Sequence, residues 1–275
     1  MSSERLPVSI TVQPWFRDHS FAGKIILAAV ETQLLLAAQV ADTFPDGNIR
    51  VMEDMRFAKF LELPPEATAV EALIEISSDA EEKRVGAKLL SRKACGKMSR
   101  IIEHGQVFFP LVASVPVDRC LDPQVDPAPP TGILKEVSAE DLYRELVLFG
   151  PHYQTLQETL YLSENSAWGS LKASSLPSIH TVQEQIGSPF PLDGAMHVAN
   201  VLGQQKVDFA PFPVGIDQRV ILRPTQPGCE YLTKVSAVAL SEKELVFDLL
   251  IFDGKGVVYE AVKGLRMRDV RGGMR

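Results

Sequence analysis

Cysteine is nearly absent from this chain. Cys95, Cys120 and Cys229 are the only ones in 275 positions. So few, odd in number and widely spaced, they argue against a disulfide framework and a cysteine zinc site, and they point to a reducing, cytoplasmic compartment. Long apolar runs are missing too. Residues 24–40 come nearest, but Lys24, Glu31 and Gln33 interrupt them before the ~20 residues of a membrane span are reached. There is no surplus of positive charge: 28 Lys and Arg stand against 35 Asp and Glu, a net charge of −7, which argues against nucleic acid as the main partner. The opening "MSSERLPVSI" is neither a signal peptide nor an Arg-rich transit segment. Gly-rich phosphate loops and a Gly-x-Ser-x-Gly elbow are absent, which weakens nucleotide and serine-hydrolase readings.

What is present has the same plan twice. A helical apolar pattern, roughly Ile25 to Thr43, is followed by strand-like runs "IRVMEDMRFAKFLEL", "TAVEALIEIS", "KRVGAKLLSR" and "HGQVFFPLVAS". The segment from Val115 to Gly132, rich in proline and aspartate, supports neither helix nor central strand. Beyond it, "SAEDLYREL" carries an N-cap serine with an acidic residue three positions on. A second helical pattern, "LDGAMHVANVLGQQ", leads into four more strand-like runs. In "EYLTKVSAV" polar and apolar residues alternate with period two, as in a half-exposed antiparallel strand. A helix without a polar face must be wrapped, and a curved sheet does this economically. The reading is α+β: residues 1–114 as one subdomain, 115–134 as a linker, and 135–275 as a second subdomain of the same plan.

Three motifs then stand in order. The first is "PWFRDHSFAGKIILAAVE", with Pro14, Trp15, Asp18, His19 and Gly23; the second is "LFGPHYQTLQ", with Gly150, Pro151 and Tyr153; the third is "GSPFPLDGAMHVAN", with Pro189, Asp193 and His197. Together they resemble the dehydratase domains of polyketide synthases, across essentially the whole chain. That family is a double hotdog, two hotdog subdomains each with a long central helix wrapped by an antiparallel sheet. Three positions depart from its pattern. Ala28 stands where proline is expected, Phe149 where a tyrosine is, and Ser188 where a histidine is.

The resemblance implies removal of water from a 3-hydroxyacyl thioester carried by an acyl carrier protein, with no metal and no diffusible cofactor beyond the carrier's phosphopantetheine. Other synthase domains are further implied partners, a homodimer is compatible with the family, and neither nucleic acid nor membrane is expected. The reaction needs a general base near its working pH and an acid for the leaving oxygen. His19, with an ordinary pKa of ~6.5, suits the first role and Asp193 the second, if its site is dry enough to keep it protonated. Gly23, Gly150, Pro151, Tyr153 and His197 are the candidate substrate-binding residues. Gly23 is expected to precede a helix N-terminus whose free N–H groups hold the thioester carbonyl. At Asp193 a helix start favours the carboxylate and burial by Phe190, Leu192 and Met196 opposes it. His104, His152 and His180 lack partners at metal-ligand spacing and read as surface or loop residues. Arg17, Lys24, Arg219 and Arg223 are candidate cations for an acidic carrier protein. Two other readings stay open: an aldol cyclase of the product-template kind, and a catalytically silent domain that binds carriers.

Overall fold

The computed structural model describes residues 2–79, 81–96, 98–111 and 125–271. The first half has seven strands and one helix among the described residues: β1 (Ser2–Thr11), β2 (Ser20–Phe21), β3 (Lys24–Ile25), then helix α1 (Ala29–Thr43), then β4 (Val51–Arg56), β5 (Ala69–Asp79), β6 (Arg84–Cys95) and β7 (Met98–Pro110). The second half has β8 (Lys135–Ser138), α2 (Ala139–Asp141), β9 (Leu156–Leu162), β10 (Ser166–Lys172) and α3 (Gln183–Ile186). Helix α4 (Phe190–Gln204) follows, with β11 (Phe212–Ile221), β12 (Glu230–Leu240), β13 (Leu245–Phe252) and β14 (Val258–Arg268) closing the chain. Twelve strands form one sheet in the order β1-β5-β6-β7-β4-β11-β14-β13-β12-β10-β9-β8. Of the linker expected at 115–134, residues 115–124 lie outside the described residues, and residues 125–134 form neither helix nor strand.

The two halves meet where β4 pairs antiparallel with β11, with Gly215 opposite Arg56 and Val220 opposite Val51. Each half curls its part of the sheet around one helix. Val30, Leu34 and Ala37 of α1 and Ala195, Val198 and Ala199 of α4 belong to a single apolar core with the inward residues of the strands. The alternation read in "EYLTKVSAV" is realised in β12, where Tyr231, Thr233 and Val235 are buried between more exposed neighbours. The expected cap is also present: the Ser138 hydroxyl accepts from the Asp141 backbone N–H at 3.0 Å.

Two expectations need correction. Helix α1 begins at Ala29 and not near Ile25, because residues 20–25 form the β2–β3 hairpin. Its two central residues, Ala22 (φ 50) and Gly23 (φ 76), both lie in the left-handed region, as a tight two-residue turn of the I′ kind requires. Gly23 therefore makes that turn, six residues before the helix. The other correction is one of omission. The polar strand β1 pairs along its whole length with β5 at the sheet edge, and β9 and β10 cross the second half; none of the three has an apolar run of the usual kind.

Ala28, at the N-cap of α1, has φ −63 and ψ 149 with no side-chain cap. That φ is the value proline is locked into. Ala28→Pro is expected to raise stability by about 0.4–1 kcal/mol through the unfolded chain. Chemical denaturation checks it as a higher midpoint at unchanged slope.

Candidate active site

His19 follows directly on a short 3₁₀ turn, Pro14–Asp18, that buries Trp15 and Phe16. Its backbone N–H donates to the Phe16 carbonyl at 3.2 Å, and its carbonyl accepts from the Ile26 N–H at 3.0 Å. The ring is tied as well. Nδ1 lies 3.1 Å from the Ile26 carbonyl oxygen. A carbonyl only accepts, so Nδ1 carries the proton and Nε2 presents its lone pair. The β2–β3 hairpin thus holds the ring in one tautomer by returning Ile26 to its side. Burial lowers the His19 pKa from 6.5; Asp193 and the Ile26 bond oppose that shift and His197 adds to it. A neutral imidazole with a free Nε2 is a competent base.

Asp193 and His197 sit one turn apart in the first turns of α4, both buried. Asp193 is not an N-cap: it is the fourth helical residue, and its N–H reaches back to the Pro189 carbonyl at 3.2 Å. Pro191, in the first turn, sits where a missing N–H leaves nothing unsatisfied. His197 Nε2 is 3.0 Å from Asp193 Oδ2. The contact lacks hydrogen-bond alignment, so Asp193 Oδ2 and His197 Nε2 both still have capacity for a substrate group. The other ring nitrogen is fixed by Tyr143, whose hydroxyl lies 3.3 Å from His197 Nδ1 and accepts the Leu156 N–H at 2.9 Å. The Tyr143 O–H can donate to Nδ1, which leaves the His197 Nε2–H beside Asp193 Oδ2, close to it but not aligned on it. Burial raises the Tyr143 pKa, which keeps it the neutral donor this chain of bonds needs.

His19, Asp193 and His197 all line one cavity of about 250 Å³. Thr32, Met196 and Asn200 line it too, as do Phe21, Phe60 and Phe212, whose rings stand 4.3–5.9 Å apart in a cluster. Lys59 and Leu148, both exposed, border its opening. The walls are mostly apolar, with a few polar groups, His19, Asp193 and His197 among them, the form of a small-molecule site.

The second motif acts behind this cavity. The Gly150 N–H donates to the Asp18 carbonyl at 2.8 Å, and a side chain at Gly150 would place its Cβ 2.5 Å from Asp18 Cγ. Asp18 Oδ2 also accepts the His152 N–H at 3.0 Å. The His19 loop of one half is therefore bolted to the 149–153 loop of the other. Gly150, Pro151 and Tyr153 do not line the cavity, and neither does Gly23. Tyr153 is fully buried, its ring 5.1 Å from that of His19 and 5.5 Å from Phe190. Phe149 lines the cavity, stacked on His19 at 4.3 Å and 5.1 Å from His197. The phenyl ring thus stands between the two histidines where a tyrosine was expected. Ser188 is buried and pairs through its backbone with Thr225.

Several residues were misread or missed. His104 is not a surface residue: it is buried, lines the cavity, and bonds the Lys59 carbonyl and Ser91 hydroxyl at 3.2 and 2.7 Å. His152 is exposed, as expected, and pairs with Asp18. Arg219 is not available to a partner, being 2% exposed and held by Glu260 and Gln33. The other three cations are engaged, Arg17 with the Pro65 and Ala67 carbonyls, Lys24 with Glu62, and Arg223 with the Val258 carbonyl. Tyr143 was missed, its only sign being an aromatic residue on a capped short helix.

One sheet curled in two halves around two helices, with a histidine of one half and an aspartate of the other lining one cavity, is a double-hotdog architecture. The profile described as "Polyketide synthase dehydratase N-terminal domain" matches residues 121–274. This chain belongs to the polyketide synthase dehydratase family. Among solved structures, an N-terminal dehydratase from the difficidin assembly line superposes with TM-score 0.73 at 14% identity, covering 98% of this chain and 94% of that one. A dehydratase domain of a trans-AT polyketide synthase from Brevibacillus brevis gives 0.71 at 17% identity, with 97% and 93% covered. A bifunctional dehydratase-cyclase domain of ambruticin biosynthesis gives 0.69 at 18% identity, with 97% and 91% covered. No curated protein sequence matches the chain. Among the described residues no helix is long and apolar enough to cross a membrane.

Proposed function

We propose that His19 and Asp193 are the base and the acid with which this dehydratase removes water from a 3-hydroxyacyl thioester. The observation that carries the assignment is the pairing of a neutral, tautomer-fixed histidine and a buried aspartate across one apolar cavity. His19 Nε2 takes the proton from the carbon next to the thioester carbonyl. Electrons pass into the new carbon–carbon double bond as the neighbouring carbon–oxygen bond breaks. The Asp193 carboxyl delivers its proton to the departing hydroxyl, and His197, held by Tyr143, orients Asp193 and the hydroxyl. Both protons move between side chains and substrate, so the chemistry proposed calls on no metal or diffusible cofactor. The substrate is proposed to arrive on the phosphopantetheine arm of an acyl carrier protein, entering past Lys59, the cation that borders the opening. An acidic carrier surface suits that approach.

Incubation with a 3-hydroxyacyl pantetheine thioester and with its carrier-bound form, followed by mass spectrometry, tests the reading. Loss of one water is expected from the carrier-bound substrate. Absence of water loss from both forms contradicts it, and a cyclised product in its place assigns the cavity to the cyclase chemistry instead. The acid limb is a further expectation. Because the His19 pKa is lowered from 6.5, kcat/KM should hold down to that pH and fall only below it. A limb centred above 6.5 counts against His19 as the base.

A further inference from the structure

Helix α4 places a third polar residue on the cavity wall, one turn beyond His197. Asn200 is 8% exposed and lines the cavity with Asp193 and His197. Two bonds fix its amide. Nδ2 donates to the Pro211 carbonyl at 2.8 Å, and Oδ1 accepts from Gln204 Nε2. Because a carbonyl only accepts, the Pro211 bond settles which end of the amide is nitrogen. Each end is then used once by the protein. One N–H and one oxygen lone pair remain, beside a cavity whose walls are mostly apolar, and a buried polar group left short of partners costs free energy. The proton transfers proposed for His19 and Asp193 make no use of them.

The place of Asn200 in the fold says what it faces. Its partner Gln204 also donates to the Leu146 carbonyl at 3.3 Å. Leu146 begins the stretch to Phe149, all of which lines the cavity. Within that stretch Leu148, 67% exposed, borders the opening, and Phe149 stacks on His19. Asn200 is thus tied to the segment that carries the mouth, and it lies about 10 Å along the helix from Asp193. A substrate whose hydroxyl meets Asp193 is joined to its carrier through that mouth, so the linking arm, and not the acyl tail, runs past Asn200. The first amide of a phosphopantetheine arm begins about six bonds from the hydroxyl carbon, about 7 Å of extended chain, and its carbonyl lies farther on.

We propose that Asn200 is a substrate-binding residue of this dehydratase, hydrogen-bonding the amide that follows the thioester sulfur on the carrier's phosphopantetheine arm. The proposal rests on the dehydratase reading and names the group that holds the arm. A secondary amide offers an acceptor to the free N–H of Asn200 and a donor to its free lone pair. That amide takes no part in the reaction, so the contact is the same in the ground state and in the transition state. Its loss should raise KM and leave kcat nearly unchanged.

Two substrates and three enzymes test the role. Carrier protein is loaded with one 3-hydroxyacyl group, either on the natural arm or on an arm whose first amide is replaced by methylene groups. With the natural arm, Asn200→Leu should raise KM about 10-fold, the worth of one hydrogen bond to a buried group. With the methylene arm the wild type should itself show the raised KM, and Asn200→Leu should match it within about twofold. Asn200→Ala, which adds no bulk against Pro211 or Gln204, should give the same pattern. Damage to the fold would weaken both substrates alike, so the selectivity for the natural arm is the decisive reading. Equal losses on both arms, the result expected if Asn200 only packs or meets a polar group of the acyl tail, would overturn the proposal. An unchanged KM for the natural arm would overturn it as well. A wild type that releases no water from either carrier-bound substrate sinks the dehydratase reading and the arm contact together. An active wild type with unselective losses sinks the arm contact alone.

Discussion

His19→Ala is expected to lower kcat/KM for the carrier-bound 3-hydroxyacyl substrate by about 10²- to 10⁴-fold, the usual worth of a positioned general base. Asp193→Asn should cost a similar factor. Neither change should unfold the protein, since the core around them is built from the residues of α1, α4 and the strands. The two variants differ in one respect. Removing the imidazole leaves space beside a cavity of about 250 Å³, so added imidazole should restore part of the lost rate in His19→Ala. It should do nothing for Asp193→Asn, whose missing group is an acid. Rescue of neither variant with circular dichroism unchanged would leave His19 a structural ring; rates within threefold of wild type would remove both residues from the chemistry.

The largest stability effect is expected at Arg219. This side chain on β11 is 2% exposed, and its Nε and Nη2 reach Glu260 Oε2 at 2.9 and 2.8 Å. Its Nη1 donates to Gln33 Oε1 on α1 at 2.9 Å. The three residues join the first half's helix to the second half's sheet. Burial raises the Glu260 pKa, against the pull of Arg219. Arg219→Leu would leave that carboxyl without its counter-charge and Gln33 without its donor, at a cost of about 3–5 kcal/mol. Because the raised group must then take up a proton to stay buried, the variant should regain part of its stability at low pH. Thermal unfolding at neutral and acidic pH checks both points. Replacing both ions, Arg219→Leu with Glu260→Leu, should cost less than the single change, as buried pairs exchanged for apolar residues commonly do. Melting of Arg219→Leu within a degree or two of wild type would mean that water reaches the pair.

Such interior ion pairs mark where the sequence stopped being legible. Arg219 reads as a surface cation because Glu260 and Gln33 lie far from it along the chain; only the sheet brings them together. His104 is the same case, its partners Ser91 and Lys59 belonging to β6 and the segment after β4. The start of α1 was misplaced for a local reason. "KIIL" is apolar in a way that suits a strand or a buried helix, and the Ala22–Gly23 turn lacks the Asn-Gly signature of a tight hairpin. By contrast, His19, Asp193 and His197 could be named from the resemblance to the family's motifs, each of which is a short local pattern. The second motif was legible as a motif and misread as a contact surface. Gly150 is there because Asp18 leaves no room for a side chain, and Tyr153 because His19 needs a ring beneath it. Whether a residue touches substrate or holds the residue that does is settled by packing, which spacing does not encode.

Tyr143 makes the same point for the acid. Nothing in "SAEDLYREL" distinguishes it from a core aromatic. Its place follows from three groups, the Leu156 N–H, its own hydroxyl and His197 Nδ1, which hold the His197 ring with its other nitrogen beside Asp193. The proposed catalytic pair is thus supported on both sides. Ile26 holds the histidine of the first half, and Tyr143 holds the histidine that lies against the aspartate of the second.

The central claim is that two halves of one chain supply a base and an acid to a single transition state. A double-mutant comparison on kcat/KM tests it most directly: wild type, His19→Ala, Asp193→Asn and the two combined. Residues that act as a unit are strongly non-additive. The double variant should therefore be no slower than about the slower single, far above the product of the two losses. Losses that multiply would mean that His19 and Asp193 act independently, and the shared-site account would be contradicted.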